Sequence, residues 1–286
     1  MGNQFKTAAL LAGLSGLLIA ISYWVIGGTT GLIVGIGLAA VTNLFSWYQS
    51  DRIALTAYRA QEVSEAQAPG LFRMVKRLSQ RANLPMPRVY IVPDSGANAF
   101  ATGRDPEHAA VAVTEGIMKI LPEDELEAVI AHELTHIANR DTLTQAVAAT
   151  IAGAISFLAQ NLFWFGSSSR DDNNRGGSFI GLLLTMILAP ISATVIQMAI
   201  SRTREFSADA GAAKITGNPR ALARALQRLE STARQVPLGN TSPAFEPLLI
   251  INPFSGASLA NLFRTHPSTE QRVEALLKLE RELPIG

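Results

Sequence analysis

Apolar residues fall along this chain in two kinds of run. Four stretches are almost free of charge: about Thr7 to Gly27, Thr30 to Tyr48, Leu143 to Phe165 and Ser178 to Ile200. Each is near the ~20 apolar residues needed to cross a bilayer as a helix. Tyr23 and Trp24, Trp47 and Tyr48, and Trp164 lie near segment ends, where interfacial aromatics collect. The first stretch lacks a small-residue cleavage signal and runs at once into the second, which predicts an uncleaved hairpin. For the third and fourth stretches two readings stay open. Their uncharged length favours spanning, and a helical hairpin buried inside the protein is the rival.

The other runs are periodic. Leu71, Met74, Val75 and Leu78 fall at i, i+3, i+4 and i+7, an amphipathic helix that Asn83 to Pro87 ends. Val89 to Val92 and Ala110 to Val113 read as short strands, with Ala97 to Thr102 a further extended piece. His108 reads as an exposed loop residue. Pro122 suits a first helical position, and Glu123, Asp124 and Glu125 favour the start of a helix carrying Leu126, Val129, Ile130 and Ile137. Asn218-Pro219 caps a helix with Leu222, Leu226 and Leu229 on its apolar face. Gln235 to Gly256 reads as an irregular excursion. Ser268 and Gln271 then stand at capping-box spacing before a closing helix with Val273, Leu276 and Leu277 inward. The predicted layout is a transmembrane hairpin (1–48), a first part of a polar domain (49–142), a second apolar hairpin (143–200) and the rest of that domain (201–286). The fold class is mainly α with a small β-sheet, in an integral membrane protein with about four spanning helices.

Charge sets the orientation. Lys6 precedes the first stretch, Gly27 to Gly31 carries no charge, and Arg52, Arg59, Arg73, Lys76 and Arg77 follow the second. The positive-inside tendency puts the amino terminus and the region after Tyr48 in the cytoplasm, with Gly166 to Gly177 as an outer loop. A net charge of +1 with no basic run gives no footprint for nucleic acid. The chain has no cysteine, so disulfides and thiolate ligands are excluded and His and carboxylate remain as strong metal ligands.

Two of the four histidines stand in Ala131-His132-Glu133-Leu134-Thr135-His136. On a helix, His132 and His136 lie one turn apart and can present two imidazole nitrogens to one ion, with Glu133 placed to take a proton from a bound water. The structural alternative is a buried helix whose histidines bond to carbonyls. Downstream, Arg204-Glu205-Phe206-Ser207-Ala208-Asp209 offers two carboxylates at i and i+4. One from a second helix would complete three protein ligands for zinc, and Asp209 one turn on could accept a ligand histidine's free N–H. The alternative is the charged flank of a membrane helix.

With both motifs present, the sequence resembles the HtpX family of membrane-bound heat-shock zinc metalloproteases, relatives of the CAAX prenyl proteases. The resemblance covers essentially the whole chain and includes Asn98-Ala99-Phe100-Ala101 and His266-Pro267-Ser268. It implies a zincin-like (gluzincin) catalytic domain with one Zn2+, held by His132, His136 and Glu205. Glu133 is implied as general base and Asp209 as the residue orienting a ligand histidine. Asn98, Ala99, Phe100 and Ala101 are implied as the edge to which an extended peptide adds. His266 is implied to steady the oxyanion or substrate, with Arg272 in support. Zinc lowers the pKa of bound water from about 15.7 to near 7, which makes a nucleophile at neutral pH. The implied substrates are damaged or misassembled membrane proteins, with self-cleavage, at the cytoplasmic face of a bacterial inner membrane. An intramembrane site-two-type protease fits less well, because Glu123 to Glu127 and Arg140-Asp141 flank the motif. A non-catalytic membrane scaffold would need neither Glu133 nor Glu205.

Overall fold

The computed structural model describes residues 2–152, 202–233, 235, 248–250 and 267–282. Most of the third apolar stretch, all of the fourth, the 166–177 loop and His266 lie outside the described residues. Two long helices begin the chain, α1 (Gly2–Ile26) and α2 (Gly28–Ala57). Both contain windows long and apolar enough to cross a membrane, Thr7–Trp24 and Gly28–Gln49. Their outer surfaces are apolar and open, with Trp24, Ile33, Val41 and Leu44 exposed. Gly27 makes the turn with φ 80°, a left-handed conformation suited to glycine. The two helices approach closely where α2 carries Gly31 and Gly35. A Cβ at Gly31 would sit 2.6 Å from the Ser22 carbonyl oxygen, and one at Gly35 would sit 2.7 Å from Ile19 Cα. Small residues one turn apart allow this contact between helix backbones.

α2 continues beyond its apolar window and ends inside the polar domain. There Ala54, Leu55 and Tyr58 are buried against the sheet, and the Tyr58 and Phe100 rings meet at 4.9 Å. Arg88 pairs with Asp51 on α2 at 2.9 Å.

The sheet has four strands, β1 (Gln61–Glu62), β2 (Arg88–Val92), β3 (Ala99–Thr102) and β4 (Ala110–Thr114), in the order β1-β2-β4-β3. β2 and β4 are parallel, while β1 and β3 pair antiparallel on either side. β3 is therefore an edge, bonded to β4 alone. Strand alternation sends Val89, Val111, Val113, Ala99 and Ala101 into one core, and Tyr90, Val92, Ala110, Ala112 and Phe100 into the other. Burial on both faces explains why β4 reads as an unbroken apolar run.

The larger core lies between the sheet and the helices α3 (Pro69–Arg81), α4 (Glu115–Ile120) and α5 (Glu123–Ala138). Leu71, Met74, Val75 and Leu78 of α3 are buried there, as their spacing predicts. Pro122 serves as the cap before α5, one position earlier than expected, and its carbonyl accepts the Leu126 N–H. After α5, Thr142–Ala152 forms α6. It lies beside α1: Thr7 and Thr144 share a hydrogen bond at 2.8 Å, and Leu10 packs with Leu143, Val147 and Ile151.

Three further helices close the domain, α7 (Arg202–Thr216), α8 (Pro219–Ala233) and α9 (Thr269–Glu282). Asn218 Oδ1 accepts the Ala221 N–H, so the expected cap forms. Ser268 and Gln271 exchange side-chain and backbone hydrogen bonds, the reciprocal capping box. Arg228 on α8 makes two hydrogen bonds to Glu125, buried at the start of α5. On α9, Leu276 is buried, whereas Leu277 is 38% exposed and not inward as its pattern predicts. Leu276 and Leu277 are 100° apart around the helix, and the core takes only the first.

The hairpin packing gives a direct test. Gly35→Leu should lower the detergent unfolding midpoint by overpacking the interface, a cost of about 1–3 kcal/mol. Gly37→Leu, on a position with no neighbour within 4 Å, should leave it unchanged. Equal behaviour of the two variants would rule out the described contact.

Candidate metal centre

Two helices bring the chemistry together. His132, Glu133 and His136 project from the buried middle of α5, and Glu205 and Asp209 from the facing side of α7. The helices approach closely where α7 has glycine. A Cβ at Gly211 would sit 2.3 Å from Thr135 Cγ2, and Ala208 and Ala212 keep the rest of the contact shallow. Glu205 Oε2 lies 3.7 Å from His132 Nε2, and Glu205 Oε1 lies 3.7 Å from His136 Nε2. The two Nε2 atoms are 3.2 Å apart. Donors about 2.0–2.1 Å from one tetrahedral ion stand roughly 3.3 Å from each other, so this triangle has the size of a metal site.

The far side of each ring fixes what faces the centre. His132 Nδ1 donates to Asp209 Oδ1 at 2.9 Å, and His136 Nδ1 donates to Asp141 Oδ2 at 3.0 Å. With both Nδ1 atoms bonded to carboxylates, both rings turn Nε2 toward the same point. At 3.2 Å the two Nε2 atoms share one cation, either a metal ion or, without one, a proton. Each orienting carboxylate has its own arginine. Arg272 grips Asp209 through Nε and Nη2 at 2.9 and 2.6 Å, and Arg204 Nε lies 3.9 Å from Asp141.

Charge counting leads to the same place. Glu133, Asp141, Glu205 and Asp209 are all buried, against the buried Arg204 and Arg272. Four carboxylates against two guanidiniums leave an excess of two negative charges, which a divalent cation would neutralise. The imbalance shows in the titration of the groups. Burial disfavours a charged His136, yet the Asp141 hydrogen bond and the carboxylates of Glu205 and Glu133 outweigh it and lift the ring to about 9. Burial raises Glu133 above the usual carboxylate range, although His132, His136 and the Ala101 N–H pull the other way. Asp209 is held below its ordinary value: burial opposes ionisation, but the Arg272 charge prevails.

Glu133 lies beside the triangle without joining it. Its Oε2 accepts the Ala101 N–H of edge strand β3 at 2.8 Å, and no other hydrogen bond to its side chain occurs among the described residues. Ala99, Phe100 and Ala101 line the same cleft, together with Gln145 of α6 and residues 248–250. Asn98 is buried at its edge and turns its carboxamide toward Leu248 and Ile250. Arg272 sits behind the centre, saturated by Asp209, by Glu205 at 3.5 Å and by the Ile250 carbonyl. Asp141, Arg204 and Gly211 were not legible as site residues. The one available signal for Asp141 was a lone acid between the histidine motif and an uncharged stretch.

A helix-borne histidine pair, completed from a later helix beside an open strand edge, defines a metallopeptidase. The family follows from comparison: residues 65–280 match the model of peptidase family M48, and the chain belongs to that family. It is 78% identical over 287 residues to "Protease HtpX homolog" of Nostoc sp., covering 99% of each chain. It is 51% identical to the relative of that description from Pyrococcus furiosus, over 100% of this chain and 99% of the relative. Its fold is similar to the crystal structure of S. mikatae Ste24p, with TM-score 0.53 and 18% identity, covering 96% of this chain and 65% of that one. The protein is thus a membrane-associated metalloprotease.

The arrangement around His136 yields a prediction. Asp141→Ala should weaken metal affinity by about 10–100-fold, the usual loss when a ligand histidine's partner is removed. Competition with a chelator of known affinity measures it, and wild-type affinity in the variant would remove Asp141 from this role.

Proposed function

We propose that this chain is a zinc endopeptidase that cleaves damaged or misfolded membrane proteins at the cytoplasmic face of a bacterial inner membrane, in stress response and quality control. The observation that carries the chemistry is the pair of inward Nε2 atoms at 3.2 Å, with Glu205 equidistant from both. His132, His136 and Glu205 would hold zinc, an ion that accepts nitrogen and carboxylate ligands in an open tetrahedral site. When bound, zinc supplies a water of lowered pKa and polarises the scissile carbonyl.

The residues around it divide the remaining work. Glu133 is the general base. Its Oε2 is held by the Ala101 N–H, which leaves Oε1 to take the water's proton and pass it to the leaving nitrogen. A carboxyl group raised by burial is better matched to that exchange near neutral pH than an ordinary one. Asp209 and Asp141 keep both rings in the tautomer that offers Nε2. The backbone of β3, with one side unpaired in the sheet, is where an extended substrate adds as a strand. Arg272 acts from behind, by fixing Asp209. His266 is retained as the oxyanion or substrate contact that the resemblance implies.

For topology we infer four spans: the α1–α2 hairpin and a second hairpin beginning with α6. The support is that α6 runs alongside α1, joined at Thr7–Thr144 and continued by Leu10, Val147 and Ile151. A helix in that position enters the same apolar layer as α1. The polar domain is then assembled from residues 49–142 and 201–286, on the side to which positive charge assigns the amino terminus.

Two experiments test this reading. Glu133→Gln should keep stoichiometric zinc by metal analysis and lose proteolysis of an unfolded substrate by at least about 100-fold. Undiminished activity in the zinc-replete variant would remove Glu133 as base. Ser168→Cys, in a chain with no native cysteine, should react with a membrane-impermeant thiol reagent applied from outside the cell. Labelling only after the membrane is breached would instead place the second hairpin inside the protein.

A further inference from the structure

We propose that Leu248–Ile250 is a built-in occupant of the substrate cleft, so that the described conformation is a closed, self-inhibited one. The inference rests on the peptidase reading and concerns how that site is controlled. Residues 248–250 line the cleft together with Ala99, Phe100 and Ala101 of β3. All three side chains are buried. Leu248 belongs to the apolar cluster of Tyr58, Tyr90, Val92 and Phe100, and Ile250 to the main core. Leu249 belongs to neither cluster and lines the cleft with His132, Glu133, His136 and Glu205.

The polar contacts fix the segment as a peptide. Asn98 Nδ2 donates to the Leu248 carbonyl, and Asn98 Oδ1 accepts the Ile250 N–H, both at 3.2 Å. One amide that serves the carbonyl of one residue and the N–H of the residue two further on reproduces the pairing of a parallel strand neighbour. The carbonyl of Ile250 accepts from Arg272 Nη1 at 3.3 Å. Asn98 cannot use the same two atoms to hold a substrate while they hold this segment. The cavity left at the centre is about 20 Å³. That is room for about one water, whereas sites for small organic ligands run to about 300–1,000 Å³. A scissile peptide can reach Glu133 and the histidines only when Leu249 leaves.

Substrate cleavage therefore requires displacement of Leu248–Ile250, and Asn98 is the latch that opposes it. This gives Asn98 a substitution effect opposite in sign to that of a substrate-binding residue. The full zinc-loaded chain in detergent is assayed with β-casein, an unstructured probe. Asn98→Ala should raise kcat/KM by about tenfold, the population shift expected from two lost hydrogen bonds. Leu249→Ser should raise it in the same direction. A fall in folded, zinc-loaded Asn98→Ala while wild type cleaves normally overturns the proposal and leaves the peptidase reading intact. If neither wild type nor variant cleaves casein, both readings fall. A second measurement avoids variants altogether. Saturating wild type with a zinc-binding peptide hydroxamate should speed hydrogen exchange at the Leu249 and Ile250 amides at least about tenfold. Unchanged or slower exchange with the hydroxamate bound overturns the proposal.

Discussion

The centre depends on how closely α7 can lie against α5. With no side chain at position 211, the Thr135 side chain occupies the space where a Cβ would be, at 2.3 Å from its ideal position. Packed interiors do not yield to an added methyl without shifting their neighbours. A wider spacing would carry Glu205 and Asp209 away together, because both stand on the same face one turn apart. Glu205 would leave the two Nε2 atoms, and Asp209 would leave the Nδ1 that it orients. One helix contact thus sets both the donor triangle and the tautomer of one of its rings.

The outer layers keep that contact in register. Arg272 reaches from α9 to grip Asp209 of α7, and Arg228 of α8 grips the buried Glu125 of α5. Breaking a buried ionic contact from one side leaves an uncompensated charge, so the Asp209–Arg272 pair resists sliding of α9 against α7. The electrostatics of the site are therefore also part of its mechanics. Removing Arg272 would leave three like-charged carboxylates close to His132, which is a stronger perturbation than the loss of one packing residue.

Much of this was legible in the sequence because it is periodic or local. The helix through His132 and His136, the α3 face, the caps at Asn218 and Ser268 and the short apolar strands between turns each follow from rules spanning a few residues. Leu277 was misread because a two-leucine step looks inward from either member, and only the packed neighbours choose Leu276. Asp141 and Gly211 escaped for another reason. A carboxylate that orients a histidine need only be near in space, and a glycine needed for close approach is defined by what faces it. Both properties belong to the assembled pair of helices. Asn98 shows the same limit: its position beside an edge strand was evident, but the partners of its carboxamide come from about 150 residues away.

The unbroken course of α2 has a mechanical consequence. With Gly28–Gln49 in the bilayer, the helix continues for eight residues, roughly 12 Å at 1.5 Å each, before Tyr58 meets Phe100 beside the cleft. A stiff helix of fixed length acts as a standoff between the lipid surface and the reactive centre. Adding or deleting one residue in it would turn Tyr58 by about 100° away from Phe100 as well as change the height. In the function proposed above, selection would therefore operate through reach: a polypeptide would qualify when it has lost enough structure to extend a strand to that height.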